Sequence, residues 1–280
     1  MINNIEVATA AGYTRISADI AGESVWFRLP DQHFHGNIAD ALSCLAFFPA
    51  MARHAHQPPG QLELPEPYQV SPRLLDSLPL LQDIFRAWCP PLQPFTHNLA
   101  THQTPTPVSD QTTAQVGASF SGGVDSHYTM LRHASDISCL VHIDGFEFEP
   151  GNEASAQTIA ALAEQAARYN KPLIVVETNA LAFYRAFKLQ RYLIFGAFLA
   201  SVAHLLGLRK FLIPSSYAFD ELVPGGSHAL TDPLWSSEGV QLIHDAGIHH
   251  RLGKMRFLAE HSDALDHILV CWHDHVENCG

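Results

Sequence analysis

The chain has 280 residues, of which 47% are hydrophobic and 16% are charged, a composition typical of globular rather than disordered proteins. Its formal net charge of −12 does not favour nucleic acid as a partner, because nucleic-acid-binding surfaces are normally basic. The longest apolar run, Leu193 to Leu208, is too short for a membrane span and contains His204. Five cysteines and no signal-peptide pattern at the amino terminus predict a reducing, cytoplasmic location.

The first part of the chain predicts a small α+β module. Glu23–Leu29 alternates between polar and apolar residues as a strand does, and Ile38–Phe48 has the pattern of an apolar helix that Pro49 would end. Ser71 and Pro72 are typical of the N-cap and the first position of a further helix.

Residues 101–113, which are rich in Thr, Pro and Gln, predict a linker between this module, residues 1–100, and a domain over residues 114–280. In that domain, segments with strand and helix patterns alternate. The predicted strands are Gln115–Phe120, Ser138–Ile143, Leu173–Thr178, Lys210–Pro214 and His267–Cys271, and the predicted helices are Val124–His133, Ala154–Tyr169 and Arg191–Leu206. This alternation predicts the α/β class, with a five-stranded, mostly parallel sheet and helices on both faces. Ligands of such sheets bind beyond the carboxyl ends of the strands.

One short segment, Ala118–Ser126, carries the clearest chemical pattern. Gly122 and Gly123 stand between a predicted strand and a predicted helix, where glycine lets the backbone approach a ligand closely. The free N–H groups and the positive dipole end of the helix favour an anion, so the segment predicts a phosphate site. It is not a Walker loop, because Gly123 and Val124 occupy the Lys and Ser/Thr positions. It also lacks the G-x-G-x-x-G pattern of dinucleotide-binding loops and the G-x-S-x-G pattern of nucleophile elbows. The structural alternative is a Gly-Gly turn capped by Asp125.

The remaining pattern, S-G-G-x-D-S over Ser121–Ser126, resembles the pyrophosphate loop of the N-type ATP pyrophosphatases, which cleave ATP between its α and β phosphates. The chain is similar to this superfamily from residue 115 onward, and most similar to the branch that contains 7-cyano-7-deazaguanine synthase. Gln190–Phe195 resembles the start of a long helix in that branch, and Cys271–Gly280 resembles the start of its zinc knuckle. Residues 1–110 have no counterpart there. The resemblance implies an adenine nucleotide alpha hydrolase-like fold, with ATP and Mg²⁺ as cofactors.

The resemblance also implies roles for residues around the loop. Asp125 and Arg191 act in catalysis, and Asp125 in addition contacts Mg²⁺. Backbone groups of His142 and Ile143 read the edge of the adenine. The implied phosphate-binding residues are Ser119, Ser121, Gly122, Gly123, Val124, Asp125 and Ser126, with Ser215 and Ser216 at the α phosphate. Judged from the residues alone, Arg191 is alternatively a surface arginine at a helix terminus. Ser215 and Ser216 are alternatively an ordinary polar strand end.

Two further groups of residues stand out by their chemistry. Residues 217–238 form a long polar segment after a predicted strand end, and such segments are usually functional or disordered. We interpret this segment as a lid and acceptor pocket. Its candidate substrate-binding residues are Tyr217, Asp220, Glu221, His228 and Asp232. Lys254, in the basic stretch Arg251–Arg256, is a candidate for charge stabilisation during adenylation, with a solvated helix start as the alternative.

The carboxyl-terminal stretch predicts no zinc site. It contains two cysteines, Cys271 and Cys279, whereas a closed zinc site needs four ligands. His273 and His275 could complete a set, but at two positions apart on one short turn they would be strained ligands.

These patterns predict an ATP-dependent, AMP-forming ligase. The enzyme would activate a carboxylate or carbonyl oxygen of a small molecule as an adenylate, and ammonia or another nucleophile would then displace AMP. A tRNA-modifying thiolase of the same superfamily is a second hypothesis, but it needs a basic surface and a cysteine near the loop, whereas Cys139 is inside a predicted strand. A nucleotide-binding regulatory module without turnover is the third. The sequence predicts no membrane partner and leaves a homodimer open.

Overall fold

The structure, a computed structural model, describes residues 2–52, 60–101, 115–146, 149–261, 265 and 268–269. Its strands are β1 (Ile2–Ala10), β2 (Tyr13–Ile20), β3 (Glu23–Pro30), β4 (Gly60–Glu63), β5 (Phe95–Asn98), β6 (Val116–Ser119), β7 (Cys139–Asp144), β8 (Leu173–Thr178), β9 (Lys210–Pro214) and β10 (Gln241–Asp245). Its α-helices are α1 (Ile38–Met51), α2 (Pro72–Trp88), α3 (Val124–Arg132), α4 (Glu153–Arg168), α5 (Ala180–Ala186), α6 (Arg191–Leu206) and α7 (Arg251–Ala259). Among the helices of the described residues, none has the length and apolar character that a membrane crossing requires.

Eight strands form one sheet in the order β1-β2-β3-β8-β7-β6-β9-β10. The strands β8, β7, β6, β9 and β10 are mutually parallel, and β1, β2 and β3 extend the sheet by antiparallel pairing. The α/β class and the mostly parallel sheet are confirmed, but the expectation of five strands is wrong. The three additional strands come from two hairpins near the amino terminus, which turn at Ala11-Gly12 and Ala21-Gly22 with positive φ angles.

A short antiparallel contact between β3 and β8 joins these hairpins to the rest of the sheet. Phe27 pairs with Thr178 and Arg28 pairs with Glu177, and the Arg28 guanidinium lies 2.5 Å from the Glu177 carboxylate. One sheet therefore spans both of the predicted domains. The predicted linker lies outside the described residues except for its first residue.

The fifth parallel strand is β10, which the sequence did not predict. It follows the long segment 217–238 and pairs with β9 along its whole length. The strand predicted at His267–Cys271 lies mainly outside the described residues, and Ile268 and Leu269, which are described, are not in a strand.

Helices cover both faces of the sheet. Alternate residues of a strand point to opposite faces, and in β7 and β9 they separate two cores. Val141 and Phe211 belong to a large core with α1 and α6, whereas Leu140 and Leu212 belong to a smaller core with α3 and α4. The sheet is thus a layer between two groups of helices.

The buried helix α6 has the predicted bounds, and Gly207, with a φ of 63°, is its C-cap as predicted. The segment before α1 satisfies the last carbonyls of α6. The N–H of Gly36 donates to the Leu205 carbonyl and the N–H of Asn37 donates to the His204 carbonyl, both at 3.1 Å. A Cβ at Gly36 would lie 1.5 Å from the His204 carbonyl oxygen, so this close approach needs glycine. The amino-terminal region therefore fixes one end of α6.

The helix α1 continues to Met51, past the end predicted at Pro49. A proline inside a helix cannot donate a hydrogen bond to the carbonyl four residues earlier, here that of Leu45. The hydroxyl of Tyr184, a buried residue of α5, donates to this carbonyl at 3.0 Å. A donor from another helix thus replaces the hydrogen bond that Pro49 cannot make.

Tyr184→Phe should lower the free energy of unfolding by roughly 1–2 kcal/mol, because it leaves the buried Leu45 carbonyl without a donor. Pro49→Ala is the matched background, since alanine restores a backbone N–H at this position. In that background the cost of Tyr184→Phe should be markedly smaller. Urea denaturation of the four proteins measures both costs, and equal costs would show that the tyrosine does not compensate for the proline.

Candidate functional site

The loop between β6 and α3 has the strand-turn-helix geometry predicted for a phosphate site. Gly123 is the N-cap of α3, and Asp125 lies in the first turn of the helix. Gly122 has a φ of +76°, and a Cβ there would lie 2.7 Å from the Leu162 side chain, so glycine is required on both counts. The hydroxyl of Ser126 donates to the Gly123 carbonyl at 2.9 Å. These contacts fix the loop at the N-terminus of α3.

A cavity of about 240 Å³ lies against this loop. Its lining comes from the carboxyl ends of β6, β7 and β9 and from α3, α4, α6 and α7. It is therefore at the edge of the sheet where ligands of parallel sheets bind. The residues of the predicted site that line it are Ser119, Ser121, Gly123, Val124, Asp125, Ser126, His142, Ile143, Arg191 and Ser216. Gly122, Ser215 and Lys254 are outside the lining.

Asp125 is held by two cations of α7. Arg251 Nη1 lies 2.6 Å from Asp125 Oδ2, and Lys254 Nζ lies 3.0 Å from Asp125 Oδ1. Lys254 is fully buried, and its ammonium group also donates to the Ser215 carbonyl just after β9. A buried ammonium group is stable only when it is paired, so Asp125 and Ser215 together account for the burial of Lys254. Lys254 is thus part of the site, while its catalytic role stays a prediction.

Arg251 is a site residue that the sequence reasoning missed, because only Lys254 was chosen from the basic stretch. The signal was nevertheless in the sequence. Arg251 begins α7, and two helical residues three positions apart lie on one face. The start of α7 is hard to recognise in the sequence, because its N-cap, His250, is not one of the residue types preferred at that position.

The described lining of the cavity carries more positive than negative charge. Its charged residues are Asp125, Arg191 and Arg251, in a chain whose net charge is −12. The N-terminus of α3 adds partial positive charge at the same place. This charge balance favours an anionic ligand.

An aromatic wall holds Arg191 beside the cavity. Arg191 Cζ lies 4.9 Å from the centroid of the Phe146 ring, which is a cation–π contact. Phe146 in turn packs on Phe195 and Phe198 at centroid distances of 5.2 Å and 4.7 Å. The cavity therefore combines cationic groups with an apolar surface, which suits an anion attached to a planar group.

His142 and Ile143 lie where β7 extends past β6. The last register pair between the two strands joins Ser119 to Val141, and His142 Nδ1 lies 3.3 Å from the Phe120 carbonyl oxygen just after β6. Both residues line the cavity. The carboxyl end of β7 therefore belongs to the cavity, and a contact of these two residues with adenine stays a prediction.

The first part of the predicted acceptor segment 217–238 lies against the start of α7. Asp220 Oδ2 and Glu221 Oε1 lie 3.4 Å and 3.1 Å from imidazole nitrogens of His250. Tyr217 is half exposed. The described cavity lining includes Ser216 but none of residues 217–238.

The second part of this segment is anchored in the protein interior. Asp232 is fully buried and accepts hydrogen bonds from Ser227 Oγ at 2.8 Å and from the His228 N–H at 3.2 Å, and its Oδ2 lies 2.7 Å from His244 Nδ1. His228 packs on the ring of Trp88. Burial lowers the pKa of His228, and the nearby His244 lowers it further to a smaller extent. These contacts fold the segment, and a substrate-binding role for Asp232 and His228 stays a prediction.

The described residues contain no group of three or more His, Cys, Asp or Glu side chains placed to hold a metal ion. Asp125 is the one carboxylate in the described cavity lining. Mg²⁺ is commonly bound by one or two carboxylates together with substrate phosphates and water, so this lining fits Mg²⁺ in company with a nucleotide rather than alone. Cys271 and Cys279, on which the zinc expectation depends, lie outside the described residues.

Asp232 is buried and Asp220 is exposed, so their removal should affect the stability of the protein differently. Asp232→Ala should lower the free energy of unfolding by roughly 3 kcal/mol, because it leaves the buried side chain of His244 and the partly buried hydroxyl of Ser227 without their acceptor. Asp220→Ala, at a side chain that is 71% exposed, should change it by less than about 0.5 kcal/mol. Chemical denaturation of both variants checks this, and a neutral Asp232→Ala would show that the buried contacts do not anchor the segment.

No protein-family model, no curated protein and no solved structure matches this chain. The resemblance of the loop to a known superfamily therefore stays a prediction, and a function can be argued only from the loop and the geometry of the cavity.

Proposed function

We propose that the protein is an ATP-dependent adenylating enzyme, an AMP-forming ligase that cleaves ATP between its α and β phosphates. It activates a carboxylate or carbonyl oxygen of a small molecule, and ammonia or another nucleophile then displaces AMP. The observation that carries the proposal is the position of the S-G-G-V-D-S loop, Ser121–Ser126, beside Arg191 and Arg251 at one cavity. An adenine nucleotide alpha hydrolase-like fold is part of the same proposal.

The loop and the arginines support the binding of a polyphosphate. The first N–H groups of α3 have no partner within the helix and are available to an anion. The hydroxyl groups of Ser121 and Ser126 line the same part of the cavity and can donate further hydrogen bonds. One arginine side chain can donate two parallel hydrogen bonds to phosphate oxygens. In the proposed complex, Ser121–Ser126 holds the β and γ phosphates, and the α phosphate lies toward Ser216.

The aromatic wall and the edge of β7 support the binding of a nucleoside. The side chains of Val141, Phe195 and Leu199 give the cavity an apolar surface, and His142 and Ile143 at the carboxyl end of β7 line it beside them. A planar base needs both, because its faces are apolar and its edge carries hydrogen-bond donors and acceptors.

The proposed reaction has two displacement steps. In the first, the acceptor oxygen attacks the α phosphorus, the bond between this phosphorus and the α–β bridging oxygen breaks, and pyrophosphate leaves with the bonding electrons. In the second, the nucleophile attacks the adenylated carbon, the bond from that carbon to the AMP oxygen breaks, and AMP leaves. An ammonia nucleophile loses a proton to solvent in this step. Mg²⁺, when bound, neutralises charge on the departing pyrophosphate.

The residues of the site contribute chiefly by position and charge. Arg191 and Arg251 oppose the negative charge that builds up on the phosphate oxygens during the first step. Lys254 is fixed between Asp125 and Ser215, so its charge acts without any reorganisation of the protein. Binding both substrates in one cavity supplies the orientation that a displacement at phosphorus needs.

The thiolase hypothesis has less support. Sulfur transfer needs a reactive thiolate near the loop. Cys139 is buried in β7, and burial raises its pKa to about 11, so it is a thiol at neutral pH. A regulatory module without turnover differs from the proposed enzyme only in its products.

Product analysis tests the proposed reaction. The protein is incubated with ATP, Mg²⁺ and a mixture of small carboxylic acids, with and without ammonium. We expect AMP and pyrophosphate in equal amounts, dependent on the acids. ADP and phosphate would mean that the loop belongs to another class, and bound nucleotide without any product would favour the regulatory module.

Arg191→Gln tests whether the arginine at the cavity acts in the reaction. We expect kcat to fall by roughly 100-fold or more, the effect of removing one charge-stabilising donor, with little change in thermal stability. Arg209→Gln is the control, since it removes the same charge from an exposed residue shortly after α6. Equal activity of the two variants would make Arg191 a surface arginine at a helix end.

A further inference from the structure

Arg251 and Lys254 hold the same carboxylate but differ in burial. Lys254 is fully buried, whereas the side chain of Arg251 is 50% exposed and lines the cavity. Lys254 has the Ser215 carbonyl as a second partner, while Asp125 is the one hydrogen-bonding partner of Arg251 among the described residues. Lys254 is therefore fixed, and Arg251 is the cation that can move.

The contact between Arg251 and Asp125 is readily broken. Arg251 is the first residue of α7, where the positive end of the helix dipole disfavours a cation. A half-exposed ion pair is weak, because water solvates both charges when they separate. A polyphosphate in the cavity is a stronger competitor than one carboxylate, since it carries more charge and its oxygens match the guanidinium fork.

We propose that Arg251 is a phosphate-binding residue that exchanges partners, leaving Asp125 for the phosphates when the nucleotide enters the cavity. This inference rests on the proposed function, which makes a nucleotide the ligand. The exchange needs only a rotation of an exposed side chain, because Lys254 continues to hold Asp125 and the start of α7.

The exchange also decides when Asp125 can bind a divalent cation. In the structure each oxygen of this carboxylate has a cationic partner, at 2.6 Å for Arg251 and 3.0 Å for Lys254. These charges repel a further cation. The departure of Arg251 frees Oδ2, so cation binding at Asp125 accompanies or follows nucleotide binding.

Two affinities of Arg251→Gln test the exchange, because they should change in opposite directions. Calorimetry with the non-cleavable α,β-methylene analogue of ATP and Mg²⁺ should show affinity about 10- to 100-fold weaker than in the unmodified protein, the range expected for a lost charge-assisted hydrogen bond. Electron paramagnetic resonance with Mn²⁺ alone should show tighter Mn²⁺ binding than in the unmodified protein, because Asp125 Oδ2 is released. Arg251→Lys should retain part of the nucleotide affinity, since it keeps the charge.

Arg256→Gln is the matched control, since Arg256 is an exposed arginine of the same helix and is outside the cavity lining. We expect it to leave both affinities unchanged, and a change equal to that of Arg251→Gln would overturn the inference. Weaker binding of both nucleotide and Mn²⁺ in Arg251→Gln would make Arg251 a structural support, and unchanged nucleotide binding would remove it from the phosphate site. If the unmodified protein bound no nucleotide, the proposed function would fail and this inference with it. If the unmodified protein binds nucleotide but Arg251→Gln does not show the expected changes, only this inference fails and the proposed function is unaffected.

Discussion

The arrangement of the cavity depends on the carboxylate of Asp125. It is bonded to cations that are 126 and 129 positions later in the chain, and through Lys254 it is linked to the end of β9. Without this carboxylate Lys254 would be a buried cation with a single carbonyl partner, which is unfavourable. One acidic side chain therefore brings together the loop after β6, the end of β9 and the start of α7. These are the parts of the molecule that give the cavity its polar character.

The amino-terminal region supports the cavity indirectly. None of the first hundred residues belongs to the described cavity lining. Residues 36 and 37 nevertheless satisfy the last carbonyls of α6, and the opposite end of the same helix carries Arg191 at the cavity. The position of Arg191 thus depends on contacts at both ends of one buried helix.

The parts of the fold that could be predicted from the sequence are those with a local cause. The loop at Ser121–Ser126 follows from two glycines between a strand pattern and a helix pattern, and α6 follows from an apolar run ended by Gly207. The pairing of β3 with β8 could not be predicted, because it depends on contacts between residues far apart in the chain. The compensation at Pro49 is equally non-local, since the hydroxyl of Tyr184 comes from α5.

The candidate site was predictable to a similar extent. Residue types near the loop indicated an anion site, and ten of the predicted residues line one cavity. The acceptor segment was predicted from its polar composition alone. Polar composition does not distinguish an open binding loop from a loop that folds around a buried aspartate. The partner of Asp232, His244, lies on β10, a strand that the sequence did not reveal. Because β10 was not predicted, the buried contact that holds Asp232 could not be predicted either.

The pairing of β3 with β8 has a consequence for synthesis of the protein. Arg28 and Glu177, which meet across these strands, are 149 positions apart. A ribosome adds about 5–20 residues per second, so the amino-terminal hairpins wait roughly 7–30 s for the strand that completes their sheet. During this interval the edge of β3 exposes unpaired backbone groups that strands of other chains can join. The nascent chain is therefore most open to aggregation, and most in need of a chaperone, before β8 leaves the ribosome.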